Sequence, residues 1–142
     1  MSGHRFACRV YFEDTDAGGV VYHANYLRFA ERARTEALRD LGVPHAALLH
    51  EFGLIFVVRR IKLDYLRPAR LDESLEVSTR VLAVAASRVE LVQIVRREGE
   101  TLVEAEVILA CVRQRDGKPA RIPPRWRDAL GVLAAGQSEG RR

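Results

Sequence analysis

A chain of 142 residues that is 48% hydrophobic and 30% charged has enough apolar side chains for one core and too many to stay disordered. Its net charge of +4 is carried by the tail, where eight Arg/Lys stand against three Asp/Glu from Arg113 onward, while the first 112 residues hold 15 against 16. With Trp126 its single aromatic, that tail is too thin for a nucleic-acid footprint, and no apolar run approaches the ~20 residues of a membrane-spanning helix.

The opening stretch MSGHRFACRVYF has neither the apolar region nor the cleavage site of a secretory signal, so a cytoplasmic location is expected. Residues 5–12 read as a first strand, with Phe6, Cys8, Val10 and Phe12 alternating with Arg5, Ala7, Arg9 and Tyr11. An acidic, glycine-bearing loop follows. Asn25 is the expected N-cap of a helix over 26–41, because its side-chain oxygen can accept from the free N–H groups of the first turn. Tyr26, Ala30, Ala33, Ala37 and Leu41 line one side of that helix, and Gly42 stops it. Such small side chains let the helix axis come close to a sheet curved around it.

A short helix over 44–50 comes next, with Pro44 in its first turn. Period-two runs then predict strands over 57–65, with Arg59 breaking the alternation, and over 75–83, 87–97 and 101–115. REGE is a tight turn with Gly99 at positive φ, and DGKP ends the sheet. A last helix is expected after Pro124 to about Ala135, then a frayed tail over 136–142. Cys8 and Cys111 show no metal or redox spacing and are expected in strands as small hydrophobes; the four histidines form no HExxH, so no metal is predicted. The order predicts a single α+β domain over 1–135: an antiparallel meander covered by one helix, with an open edge that favours self-association.

Residues 13–23 have two readings. In the first, Glu13, Asp14 and Asp16 are a solvated turn favoured by the following helix dipole, and Gly18-Gly19 reverse the chain. In the second, the glycines let backbone approach a ligand, and the amides at the helix start, near His23, face an oxygen that turns negative during reaction. Asp16 then supplies what the site lacks, by activating water or attacking an acyl carbon. As a side chain His23 reads as a cap or a hydrogen-bonding group; as a backbone donor its identity scarcely matters. A histidine-based triad would need an activated Ser or Cys, and neither cysteine has that context.

RVYFEDTDAGGVVYHANYLRFAERARTEALRDLG, with its D-x-D-x-x-G-x-V-x-x-x-x-Y run, resembles the hotdog-fold acyl-CoA thioesterases of the 4-hydroxybenzoyl-CoA thioesterase family, in the branch associated with the Tol-Pal envelope system. The likeness continues through FVVRRIKLDYLRPARLDESLEV and EAEVILACV. It implies a curved sheet of about five strands around a central helix, with Asp16 as the catalytic carboxylate and the His23 amide polarising the thioester carbonyl. It further implies hydrolysis to a free acid and CoA without cofactor or metal, and dimers that pair into a tetramer with the site at the subunit boundary. A related family that uses a helix-borne glutamate keeps Glu31 and Glu36 in view. Gly19 and Tyr22 are the expected substrate contacts in the loop. Arg88, Lys118 and Arg121 are the expected contacts to the phosphates of CoA, with Arg59, Arg60 and Lys62 as alternatives. Two other functions remain open at this point: hydration or dehydration of acyl thioesters, and non-catalytic binding of acyl carrier protein or envelope machinery.

Overall fold

The alternating runs form strands because each places its apolar side chains on one face of a sheet that closes over a single long helix. The computed structural model describes residues 3–134. Its elements run β1 (His4–Arg9), α1 (Asn25–Asp40), α2 (His45–Phe52), β2 (Leu54–Tyr65), β3 (Ser74–Val84), β4 (Arg88–Arg97), β5 (Glu100–Arg113) and α3 (Pro124–Ala134), with a 3-10 turn at Phe12–Asp14. The expected tail over 136–142 lies outside the described residues.

The strands make one antiparallel sheet in the order β1-β3-β4-β5-β2. The meander prediction holds for β3, β4 and β5 only. β4 and β5 are joined through Glu98 (φ 50°) and Gly99 (φ 82°), both left-handed, which matches the twist of the flanking strands. β2 departs from the meander: it pairs with β5 at one edge, while β1 pairs with β3 at the other. The loop 66–73 carries the chain between those edges. Arg59, the pattern breaker, is the extra residue of a bulge, since Val58 faces Leu109 and Arg60 faces Ile108.

The first strand is shorter than the alternation suggests. Phe6 and Cys8 turn inward as expected, but the strand ends at Arg9 because the Asp14 carboxylate accepts the Tyr11 N–H (2.8 Å) and winds the chain into the 3-10 turn. Phe12 therefore leaves the apolar face and is 81% exposed.

Helix α1 buries Tyr26, Phe29, Ala30, Ala33, Ala37 and Leu38 against the sheet. The alanines bring its backbone near enough for Gln93 of β4 to donate to the Ala30 carbonyl (2.9 Å). The same amide group donates to Thr79 Oγ1 (2.9 Å), and its oxygen accepts from Arg34 (3.0 Å), so this buried polar side chain is satisfied at both ends. One helix does not cover the whole face. Trp126 of α3, fully buried, completes the core over the ends of α1 and α2, packing with Leu48, Val89 and Leu130.

Candidate active site

The acidic loop is held by its own hydrogen bonds while Glu13, Asp16, Gly18 and Gly19 stay exposed. The Asp16 N–H donates to the Val20 carbonyl (2.9 Å) and the Gly19 N–H to the Asp16 carbonyl (3.0 Å), inside a bridge between Thr15 and Val21. The Asp16 carboxylate bends back onto the Gly18 N–H (2.8 Å) and remains open to solvent. Gly19 has φ 81°, a conformation that costs a residue with a Cβ. Beneath the loop Asp14, 7% exposed, gives its carboxylate to Tyr11 and its carbonyl to the Tyr22 N–H (2.9 Å) and the Asn25 side chain (2.9 Å). Asn25 is thus a brace inside the helix and not its cap. The capping position belongs to Ala24, which makes no side-chain bond.

The start of α1 is held from the other side by loop 66–73. Ala69 accepts the Val21 N–H (2.8 Å) and donates to the Tyr26 hydroxyl (3.1 Å), and Val20 bridges to Arg70. Asn25 N–H returns to the Tyr22 carbonyl (2.8 Å), so the chain already winds in the helical sense at His23 and Ala24. Among the described residues the amides of these two have no acceptor. Tyr65, the last residue of β2, donates its hydroxyl to the His23 carbonyl (3.0 Å). The His23 ring lies 4.6 Å from that of Tyr22 and edge-on to Tyr65 at 6.2 Å. A cavity of about 260 Å³ opens between His23, Tyr26, Tyr65 and Arg67.

A larger groove of about 520 Å³ runs beside α1, between Leu27, Arg34 and Leu38 and the edge strand at Phe56 and Val58. Glu31 lines it, while Glu36 is paired with Arg39 (3.4 Å) on the helix surface. Neither glutamate stands in the loop that holds Asp16.

Asp16, Gly19, Tyr22 and His23 are therefore gathered in one place, and the expected cations are not. Arg88 opens β4 and pairs with Glu90 (3.4 Å). Lys118 and Arg121 follow β5 and are tied to that same end of the sheet by Ala120 N–H to Cys111 O (3.0 Å) and Ile122 N–H to Ala86 O (2.9 Å). The Asp16 loop is fastened, through loop 66–73, to Arg97 at the opposite end of β4. At ~3.3 Å per strand residue the two ends are roughly 30 Å apart. The alternatives fare no better within one chain: Arg60 and Lys62 lie beside Glu90 and Glu106 on the sheet, and Arg59 sits in the bulge.

Two arginines near the loop, Arg97 and Arg67, are committed to carboxylates. Arg97 binds Glu73 (2.8 Å) and Glu100 (2.6 Å), and Arg67 binds Glu100 (2.9 Å). Burial alone would raise Glu73, but bonds from the Arg97 side chain and the Arg70 N–H hold it below its ordinary value. Burial pushes the Cys8 thiol up to about 11 and raises Cys111 as well, so neither is a thiolate nucleophile near neutral pH. Among the described residues no group of three or more His, Cys, Asp or Glu is placed to hold a metal ion.

A family model for the thioesterase-like superfamily matches residues 10–130. The chain belongs to that superfamily. This thioesterase-like chain is 47% identical over 132 residues to the acyl-CoA thioesterase YbgC of Haemophilus influenzae, covering 93% of its own length and 97% of that protein's. It is 47% identical over 120 residues to the acyl-CoA thioester hydrolase YbgC of Escherichia coli O6:H1, covering 84% and 89%. A solved structure, a probable thioesterase from Bartonella henselae, matches it with a TM-score of 0.81 at 40% identity over 86% of this chain and 100% of that one.

Two residues that brace the thioesterase-like loop, Asp14 and Tyr65, are given no site role by the sequence. Asp14 carried a signal, being the first acid of the D-x-D run, yet its role is to brace the loop from below. Tyr65 lay inside LDYLRPA, but its bond to His23 spans 42 positions. No local pattern reports such a contact.

Proposed function

We infer that the protein hydrolyses acyl-CoA thioesters to a free acid and CoA, with the Asp16 carboxylate as general base or nucleophile and the His23 N–H as donor to the oxyanion. The observation that carries this is the pairing, in one braced loop, of a solvent-accessible carboxylate with an amide that has no acceptor among the described residues. The thioester oxygen accepts from that amide, which stabilises the charge developing as the carbonyl carbon becomes tetrahedral. Asp16 either removes a proton from the attacking water or adds to the carbon itself to give an anhydride that water then cleaves. In both routes the C–S bond breaks and CoA leaves as the thiolate. The reading assigns no metal and no cofactor, since CoA belongs to the substrate.

The working unit in this reading is a homodimer, with two dimers forming a tetramer, in the cytoplasm. Strand β2 has one unpaired edge, and the groove beside it leaves Leu27 and Val58 exposed, which favours pairing with a second copy. The same arrangement gives Arg88, Lys118 and Arg121 a role: they serve the phosphates of a CoA whose thioester lies in a neighbouring subunit. Among the described residues no helix is long and apolar enough to cross a membrane.

Thiol release from a panel of aliphatic and aroyl CoA thioesters tests the assignment. Turnover of at least one class supports it. Hydration of an enoyl thioester with no thiol released, or binding of acyl carrier protein without turnover of any thioester, contradicts it.

A further inference from the structure

Two consecutive peptide groups at the head of α1 are each anchored by the carbonyl and, among the described residues, free at the amide. The Tyr22 carbonyl accepts from Asn25 (2.8 Å), and the N–H across that planar unit is His23's. The His23 carbonyl accepts from the Tyr65 hydroxyl (3.0 Å), and the N–H across that unit is Ala24's. Ala24 has φ −71° and ψ −18°, so its amide continues the helical path begun at His23. Fixing a carbonyl fixes the opposite N–H, because the unit does not twist.

We propose that Tyr65 is a positioning residue for the reaction, whose hydroxyl turns the Ala24 N–H outward beside that of His23 as a second donor to the oxyanion. This rests on the role given above to Asp16 and the His23 amide. The Tyr65 hydroxyl is well placed to hold still. Its ring packs edge-on to His23 (6.2 Å) and Tyr26 (5.7 Å), and Tyr26 is itself buried and tied to the Ala69 N–H. Tyr65 is 47% exposed, and its partial burial raises the hydroxyl above its ordinary value, so it stays a proton donor through neutral pH. A donor on the His23 carbonyl polarises the peptide and makes the Ala24 N–H the stronger partner for an anion. A bond that served only to tie β2 to the helix would not have to fall on this carbonyl.

Steady-state kinetics on the full-length protein, with one thioester it turns over, test the proposal. Tyr65→Phe keeps the ring and removes the hydroxyl; kcat falls about 10-fold or more while KM stays within about twofold, since the interaction lost is made only in the transition state. Circular dichroism and melting temperature of Tyr65→Phe stay at the wild-type values, so the loss is not one of folding. A Tyr65→Phe enzyme with wild-type kcat, or one whose KM rises while kcat holds, overturns the proposal. Asp16→Asn separates the two levels: if it is inactive and Tyr65→Phe is unimpaired, only the positioning role falls, whereas an active Asp16→Asn removes the reading beneath it.

Discussion

Asp16 Oδ1 accepts the Gly18 N–H at 2.8 Å, and a Cβ on Gly18 would stand 3.2 Å from that same oxygen. The glycine pair therefore divides its work. Gly18 clears space for the carboxylate, and Gly19, at φ 81° with nothing within 4 Å of a would-be Cβ, supplies only backbone conformation.

Substitutions at the two positions should differ in kind. Gly18→Ala crowds the carboxylate and is expected to lower kcat about tenfold with little loss of stability, as small misplacements of a reacting group do. Gly19→Ala is expected to cost about 1–2 kcal/mol in folding, because the left-handed conformation strains any Cβ, and Gly19→Asn less. Urea melts and thiol-release rates on the three variants check both. Equal stability of Gly19→Ala and Gly19→Asn contradicts the conformational explanation.

Trp126 is 0% exposed and sits with Phe52 edge-on at 5.8 Å and the Arg125 guanidinium 4.9 Å from its ring centre. Trp126→Ala is expected to cost about 3–5 kcal/mol by opening a cavity that the sheet cannot refill. Thermal and urea unfolding measure it. A loss below about 1 kcal/mol would show that α3 docks without contributing to the core.

The expected strand runs, the alanine seam, the break in alternation at Arg59 and the left-handed turn at Gly99 were legible because each is a local consequence of side-chain period or backbone sterics; that the break is a bulge came from the pairing with β5. The order of strands in the sheet was not. β2 and β5 are paired through contacts between segments far apart in sequence, and alternation says which face a residue takes, not which neighbour it meets. Phe12 misled for a related reason: one carboxylate, Asp14, overrode an unbroken alternation. At the candidate site, Asp16 and His23 could be named from one short run, whereas the wide separation of Arg88, Lys118 and Arg121 from them needed coordinates.

That separation makes a prediction about assembly. Dimers mixed from Asp16→Asn chains and chains carrying Arg88→Ala, Lys118→Ala and Arg121→Ala contain one site with both defects and one with neither, if the cations come from the neighbour. Such dimers should recover about half the wild-type rate, although each parent is impaired. No recovery would mean that both groups act within one chain, whereas an unimpaired parent carrying the three alanines would mean that these cations do not touch the substrate.

Glu73 gives a pH signature to the loop that pins the helix start. Its folded-state value is held below its unfolded one by Arg97 and the Arg70 N–H, so the stability it contributes is complete above the unfolded value of 4.5 and is lost as pH falls through the folded value. Unfolding midpoints taken from pH 6 down to pH 3 (about the range in which a carboxylate so placed titrates) should fall more steeply for the wild type than for Glu73→Gln. Parallel curves would contradict the assignment.

The most direct measurement of the central claim is thiol release by Asp16→Asn beside the wild type, with circular dichroism and melting temperature confirming an unchanged fold. Asn keeps the size of the side chain and an oxygen to accept the Gly18 N–H, but it can neither take a proton from water nor attack a thioester. The account predicts a fall in kcat of at least about 10²-fold. A folded Asp16→Asn protein that cleaves acyl-CoA at the wild-type rate would contradict it.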